Sequence, residues 1–321
     1  MLTPDERPQA DDIRRPPPEG VKQSGQATFA CETEAAEADA RQALACLDLT
    51  SLNDSDSAAD IVALCQRAVG SDPDRGHGVN GPLRGSSVNG PLRGSSVNGP
   101  LRGSSVTGPL RGPVAAVCVW PRRAALARRL LPPHIAVAAV ANFPDGSADL
   151  QRAVRDTAQI VGAGAQEVDV VFPYRDFAAA PALLQAVRRA CNGLRLKVIL
   201  ETGELQDPVF INRACRIALD AGADFLKTST GKTARSASPE AAALLLQAIA
   251  QHASASGHVG FKPAGGIRTM ADAALYMQLT AQHLGAVAVH PARFRIGASS
   301  LLDDIEAVLT GVQRQPNTTA Y

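Results

Sequence analysis

The chain has 321 residues, 32 Lys+Arg against 31 Asp+Glu for a formal charge of +1, and is 45% apolar and 20% charged. That balance argues against a strongly basic nucleic-acid binder and against an acidic tail protein, while the apolar content supplies a sizeable core. No apolar run reaches the roughly 18 residues of a membrane span, and the opening MLTPDERPQADD has neither the basic nor the apolar region of a secretory leader, so the expectation is a cytoplasmic protein with no membrane partner. The cysteines (Cys31, Cys46, Cys65, Cys118, Cys191 and Cys215) form no CxxC, and the histidines form no HExxH or HxH. Neither a disulfide framework nor a metal site is expected.

In chain order, residues 1–38 are Pro-rich and charged without apolar periodicity, and read as a disordered tail ahead of a domain spanning 39–321. A strand is predicted at 45–50 (ACLDLT) and a helix at 56–69. Between about 71 and 113 the nine-residue unit VNGPLRGSS recurs from Val79, Val88 and Val97, with a degenerate copy at Val106. One Val and one Leu per copy cannot offset the entropy of ordering it, so this reads as a flexible surface insertion. The alternative, an Arg-Gly segment touching nucleic acid, rests on four Arg and no aromatic residue in those copies, and no nucleic-acid partner is expected.

Strands are then predicted at 113–120, 134–142, 167–172, 194–202, 223–229, 258–263 and 292–298. The helices between them fall at 147–161, 181–192, 207–220, 238–253 and 270–284, several opening on a Ser or Asp cap. Gly164, Gly222 and Gly285 each follow a helix, as a left-handed residue closing it would. Eight Val/Ile/Ala-rich strands alternating with helices, in about 240 residues once tail and insertion are set aside, argue for an α/β fold, a (β/α)8 TIM barrel. An open doubly wound sheet would need its dinucleotide fingerprint, and the GxG at Gly162 to Gly164 follows a helix and precedes a strand, the reverse of the required order.

Only five of the 32 basic residues are lysines: Lys22, Lys197, Lys227, Lys232 and Lys262. Arg serves as well for a solvated charge, but only a lysine amine can be deprotonated and attack a carbonyl. Lys227 (FLKTSTGK) and Lys262 (GFKPAGG) lie near the ends of adjacent predicted strands, on the carboxyl-end face where barrels hold their active sites. Lys197 shares a strand face with Ile199 and Glu201, and Asp169 and Asp48 lie on the fourth and first strands. On charges alone, catalysis and a barrel-filling layer of salt bridges are equal readings. PAGGIRT (263–269) after the seventh strand and GASSLLDDIEAVL (297–309) after the eighth tip the balance. Backbone amides at these loops and at the helix start form an anion pocket where barrels commonly bind phosphate. Gly231-Lys232-Thr233 mimics the end of a Walker A loop, but Leu226 occupies the position of its first Gly.

These residues resemble the deoxyribose-phosphate aldolases, class I Schiff-base lyases with a (β/α)8 fold. The resemblance runs from about residue 44 to the end, interrupted by the repeat, through DLTSLN, AVCVWP, ANFPDG, EVDVVFPY, LKVILETGEL, GADFLKTSTGK, VGFKPAGGIRT and RIGASSLL. It implies reversible cleavage of 2-deoxy-D-ribose 5-phosphate to D-glyceraldehyde 3-phosphate and acetaldehyde, with no metal or organic cofactor. By that resemblance Lys227 is the Schiff-base lysine, and Asp169 and Lys262 are the proton donor and acceptor groups. Gly231, Lys232, Gly265, Gly266, Gly297, Ser299 and Ser300 lie at the phosphate end, with Asp48, Thr50, Cys118 and Lys197 as further substrate-pocket residues. The bottom-up chemistry agrees, because carbon–carbon cleavage needs an imine as electron sink and hence a lysine, and a second ammonium nearby disfavours protonation of the first. For Cys118 a packed small residue is an equally good reading. The partners implied are a phosphorylated sugar and aldehydes, with a homo-oligomer left open. Another lysine-dependent sugar-phosphate aldolase is the nearest alternative, and a non-catalytic barrel would be expected to lack the intact Lys227, Lys262 and Asp169 set.

Overall fold

The computed structural model describes residues 22–70, 112–252 and 257–311, with side chains from Thr33 onward. The repeat copies and residues 1–21 lie outside them. The chain opens with α1 (Lys22–Ala45) and runs through β1 (Leu47–Ser51), α2 (Ala58–Val69), β2 (Ala116–Val119), α3 (Pro121–Leu130), β3 (Ala136–Ala141) and α4 (Leu150–Gly162). It continues through β4 (Glu167–Val171), α5 (Ala180–Ala190), β5 (Arg195–Ile199), α6 (Thr202–Leu205), α7 (Pro208–Asp220), β6 (Phe225–Lys227), α8 (Pro239–Gln251), β7 (Gly260–Lys262), α9 (Met270–Leu284), a short 3-10 turn, β8 (Ile296–Ala298) and α10 (Leu301–Thr310).

All strand pairings are parallel, in the order β7-β6-β5-β4-β3-β2-β1-β8. Parallel bridges Phe261 to Phe294 and Ala264 to Gly297, with Gly297 N–H donating to the Pro263 carbonyl at 2.9 Å, bring β8 onto β7 and close the (β/α)8 barrel. β2, β4, β6, β7 and β8 are buried along their whole length. This is why β2 (AVCV) reads in sequence as a continuous apolar run, whereas β4 (EVDVV) alternates because Glu167 and Asp169 meet buried cations. The helices pack from outside through narrow stripes, such as Ile61, Cys65 and Ala68 of α2 and Leu183, Leu184 and Val187 of α5.

The capping signals act as read. Ser57 and Asp60 form a reciprocal capping box on α2, Thr269 and Asp272 form another on α9, and Asp149, Asp207 and Ser238 cap α4, α7 and α8. Gly164 and Gly222 take left-handed φ of 74° and 83° just past their helices. Gly285 is instead the cap residue of α9 with ψ 152°, so it does not make the left-handed close expected of it.

Three expectations need correction. Residues 22–38 lie within α1 rather than in a structureless tail; the Ala- and Glu-rich run CETEAAEADARQALA favours helix, and Ala40, Ala43 and Leu44 anchor its end in the core. The α3 segment PRRAALARRL is a helix that the periodicity did not reveal, since only Ala124 and Ala127 of it are buried. The last strand is confined to Ile296–Ala298 rather than 292–298.

Candidate active site

Strand register stacks the charges in layers, as inward-facing positions of a barrel recur every second residue. Glu167 stands beside Arg195, Asp169 beside Lys197, and Ile199, Lys227 and Lys262 stand side by side on β5, β6 and β7, nearest the carboxyl ends. Asp169 is the hub: its Oδ2 accepts from Lys227 Nζ at 2.9 Å and Lys262 Nζ at 2.8 Å, and its Oδ1 from Lys197 Nζ at 2.7 Å. Lys262 also reaches Asp48 at 2.5 Å, and Lys197 reaches Glu167 at 2.6 Å. Arg295 joins the lower end, binding Asp48 at 2.6 Å and Glu167 at 2.9 Å.

Asp48, Asp169, Lys197 and Lys262 are fully buried, and Lys227 is 3% exposed. Buried ions are costly unless paired, and here the pairing is dense. Burial alone would raise the Asp169 carboxyl, but Lys197, Lys227 and Lys262 outweigh it and hold it well below the usual carboxylate range. Asp48 is lowered in the same way, against its burial, by Lys262, Arg295 and Lys197, and Glu167 by Lys197 and Arg295. Conversely burial opposes charge on Lys197 and Lys262, yet their carboxylate partners raise both amines above the ordinary lysine value. Lys197 and Lys262 are thus fixed as ammonium ions, each held by at least two carboxylates. Lys227 has a single carboxylate contact, on an oxygen it shares with Lys262.

Lys227 opens into a cavity of about 240 Å³. Thr50, Gly231, Lys232, Gly265, Gly266, Gly297, Ser299 and Ser300 line it, so eight of the residues read from the sequence converge with the amine. Gly265 has φ 83°, and a side-chain carbon there would stand 2.5 Å from Ser236 Oγ. At Gly297 an added carbon would come within 2.9 Å of Ala264 Cβ and 3.1 Å of Lys262 Cε, so β8 itself passes directly over the Lys262 stem. Ser299 and Ser300 lie on the cavity wall and Ser300 precedes α10 without capping it through its side chain, so the amino end of that helix, suited to an anion, stands at the cavity. A larger cavity, about 660 Å³, opens at the amino-terminal strand ends beside Arg195 and Arg295. Both guanidiniums there are engaged with Glu167, and none of the described residues lining it is a lysine.

Three of the residues read as substrate-pocket positions, Asp48, Cys118 and Lys197, are not on the cavity wall. They lie behind it: Asp48 and Lys197 in the ion-pair layers, and Cys118 fully buried with Sγ 3.9 Å from Asp169 Oδ2. Burial and the neighbouring Asp169 raise the Cys118 thiol, which suits packing rather than nucleophilic chemistry. Two members of the network, Glu167 and Arg295, were not singled out in the sequence. The signal was present, since Glu167 precedes Asp169 by two, and Arg295 precedes Gly297 by two. Among the described residues no His/Cys/Asp/Glu group has the arrangement of a metal site, and no helix is long and apolar enough to cross a membrane.

The comparisons with known proteins agree with this geometry. The deoxyribose-phosphate aldolase of Agrobacterium fabrum is 46% identical over 215 residues, which cover 64% of this chain and 82% of the relative. Among solved structures, one from Toxoplasma gondii ME49 described as a deoxyribose-phosphate aldolase superposes with a TM-score of 0.69 at 21% identity, covering 88% of this chain and 98% of the other. The tetrameric deoxyribose phosphate aldolase of Aeropyrum pernix gives 0.57 at 22% identity, over 87% and 97% of the two chains. At those identities the two structures speak for the fold. A model of the DeoC/LacD family aldolases matches residues 105–307, and with the Agrobacterium relative it establishes that this chain belongs to the DeoC/LacD family of aldolases.

Proposed function

We propose that the protein cleaves 2-deoxy-D-ribose 5-phosphate reversibly to D-glyceraldehyde 3-phosphate and acetaldehyde, as a class I aldolase. The observation that carries this reading is Lys227, the one amine of the buried network that faces the cavity and has a single carboxylate contact, with Asp169 and Lys262 behind it and the anion loops around it.

With Lys197 and Lys262 held as ammonium, Lys227 is the nucleophile. Its Nζ adds to the C1 carbonyl of the open-chain sugar to give a carbinolamine, and loss of water gives a protonated imine. Removal of the C3 hydroxyl proton then lets the C2–C3 electron pair flow into the imine. The C3–C5 fragment leaves as the phosphorylated aldehyde, and the lysine retains an enamine. Protonation at C2 and hydrolysis release acetaldehyde and restore the amine. Asp169 and Lys262, which meet Lys227 at one carboxylate oxygen, are the groups placed to move these protons. Gly231, Gly265, Gly266 and the α10 amides, with Lys232 at the rim, receive the phosphate. The chemistry calls on no cofactor.

A homo-oligomer is supported by the tetrameric Aeropyrum relative. The five described cysteines are free and buried, in keeping with a reducing cytoplasm. The decisive experiment incubates the protein with acetaldehyde and borohydride and sequences the modified peptide. An N-ethyl group on Lys227 with loss of activity is expected; labelling at Lys197 or Lys232, or an active Lys227→Arg enzyme, refutes the assignment.

A further inference from the structure

The segment between β5 and α7 is built around Glu201, which no step above uses. Glu201 is fully buried and takes φ 56° and ψ 57°, a left-handed conformation that Gly or Asn adopts more cheaply than Glu. Its side chain explains its presence there. The carboxylate accepts from the Thr230 hydroxyl at 2.5 Å and the Thr230 amide at 3.2 Å, and stands 3.2 Å from the Thr233 hydroxyl, whose one proton is shared with the Arg235 carbonyl at 2.9 Å. Burial raises this carboxyl, against the hydrogen bonds from Thr230.

The Thr230 hydroxyl donates its one hydrogen to Glu201, and its oxygen accepts the Lys232 amide at 3.0 Å. Thr230, Gly231 and Lys232 line the cavity, whereas Glu201 stands behind them. The same segment presses on the loop elsewhere: a side-chain carbon at Gly203 would fall 2.1 Å from the Arg235 carbonyl oxygen, the Arg235 guanidinium donates to Gln206 at 3.0 Å, and the Thr202 amide donates to the Thr228 carbonyl at 2.9 Å. The loop after β6 is shaped from behind by the segment after β5.

We propose that Glu201 is a positioning residue for the phosphate end of the pocket: it fixes the loop that presents Gly231 and Lys232, and so sets the preference for a phosphorylated over an unphosphorylated sugar. This rests on the function proposed above. Glu201 holds the anion loop and makes no hydrogen bond to Lys227, Lys262 or Asp169, and the charge of Lys227 acts on its carboxyl less than the hydrogen bonds from Thr230 and Thr233 do.

The test measures kcat and KM of the full-length protein on 2-deoxyribose 5-phosphate and on 2-deoxyribose. Loss of a charge-assisted hydrogen bond in Glu201→Gln is expected to raise KM for the phosphorylated sugar about tenfold, with kcat and the 2-deoxyribose reaction changed by less than about threefold. Thr233→Ala, at a half-buried position, removes the Thr233 contact to Glu201 together with its bond to the Arg235 carbonyl of the same loop and should give the same split at about threefold. Should Glu201→Gln fail to fold, Thr233→Ala decides by itself. Equal losses on both sugars, or an unchanged KM in a folded variant, overturn the proposal. A wild-type enzyme that gains nothing from the phosphate refutes the phosphate reading itself, and Glu201's role with it. A strong wild-type preference kept intact in the variants overturns only the role of Glu201.

Discussion

Arg295→Met and Lys227→Met separate the structural end of the charge network from the chemical end. Arg295 is 3% exposed and donates to Asp48 at 2.6 Å, to both oxygens of Glu167 at 2.9 and 3.3 Å, and to the Pro291 carbonyl at 2.5 Å. Methionine fills the aliphatic part of that volume but takes one cation from each of two buried carboxylates, of which Asp48 keeps Lys262 and Lys197 and Glu167 keeps Lys197 and Arg195; breaking a buried pair typically costs about 3–5 kcal/mol. For a domain of this size that is a fall in Tm of about 6–20 °C. Lys227→Met removes one contact from Asp169, which keeps Lys197 at 2.7 Å and Lys262 at 2.8 Å. Its cost should be about 1 kcal/mol, or about 2–4 °C, with activity abolished.

The pH dependence adds a sign. Asp48, Glu167 and Asp169 have folded pKa values below their unfolded ones, so their contribution is present above about pH 4 and is lost as pH falls through the folded values. The Tm deficit of Arg295→Met should therefore be largest near neutral pH and shrink below about pH 4. Lys197 and Lys262 are raised, so what they contribute is complete below the ordinary lysine value of 10.5 and is lost as pH climbs beyond it. Scanning calorimetry between pH 3 and pH 8, with turnover measured at 25 °C, reads both variants. An Arg295→Met protein that melts within about 2 °C of wild type at pH 7, or a Lys227→Met protein that loses as much stability as Arg295→Met, refutes the division of the network.

Three further outcomes follow from the same geometry. Lys262→Leu should lower kcat about 10²–10⁴-fold while borohydride still fixes an adduct on Lys227; normal turnover would remove Lys262 from the proton transfers. Ser299→Asp puts a carboxylate at the α10 end of the cavity, and affinity for 2-deoxyribose 5-phosphate should fall far more than activity on 2-deoxyribose; equal losses would make the serine a structural residue. Deleting residues 79–111, which join the barrel ahead of β2 at its amino-terminal end, should leave turnover unchanged. Lost activity, or dissociation of an assembly seen by light scattering, would make the repeat an interface element.

Much of the molecule was legible from residue types at short range. Alternating β-rich runs and capped helical stretches specify a parallel barrel, because burial on both faces of a strand and the capping of helix ends are local requirements. The scarcity of lysine isolated the amines, and paired glycines and serines after the last two strands marked the anion loops. What the sequence could not assign was depth and partnership. Period two tells which face a residue occupies, but the layer it reaches and the charge it meets depend on register and on closure of the barrel. Glu167 and Arg295 are 128 positions apart in the chain, and Lys262 and Asp48 are 214 apart. Asp48, Cys118 and Lys197 belong to the right strands yet stand behind the pocket wall, and Glu201, two positions beyond Ile199, leaves the strand face because its backbone turns left-handed. Only the closed barrel decides that Lys227 alone among the buried amines has one carboxylate and an open cavity before it, since electrostatic partners are set by distances in space and not by spacing along the chain.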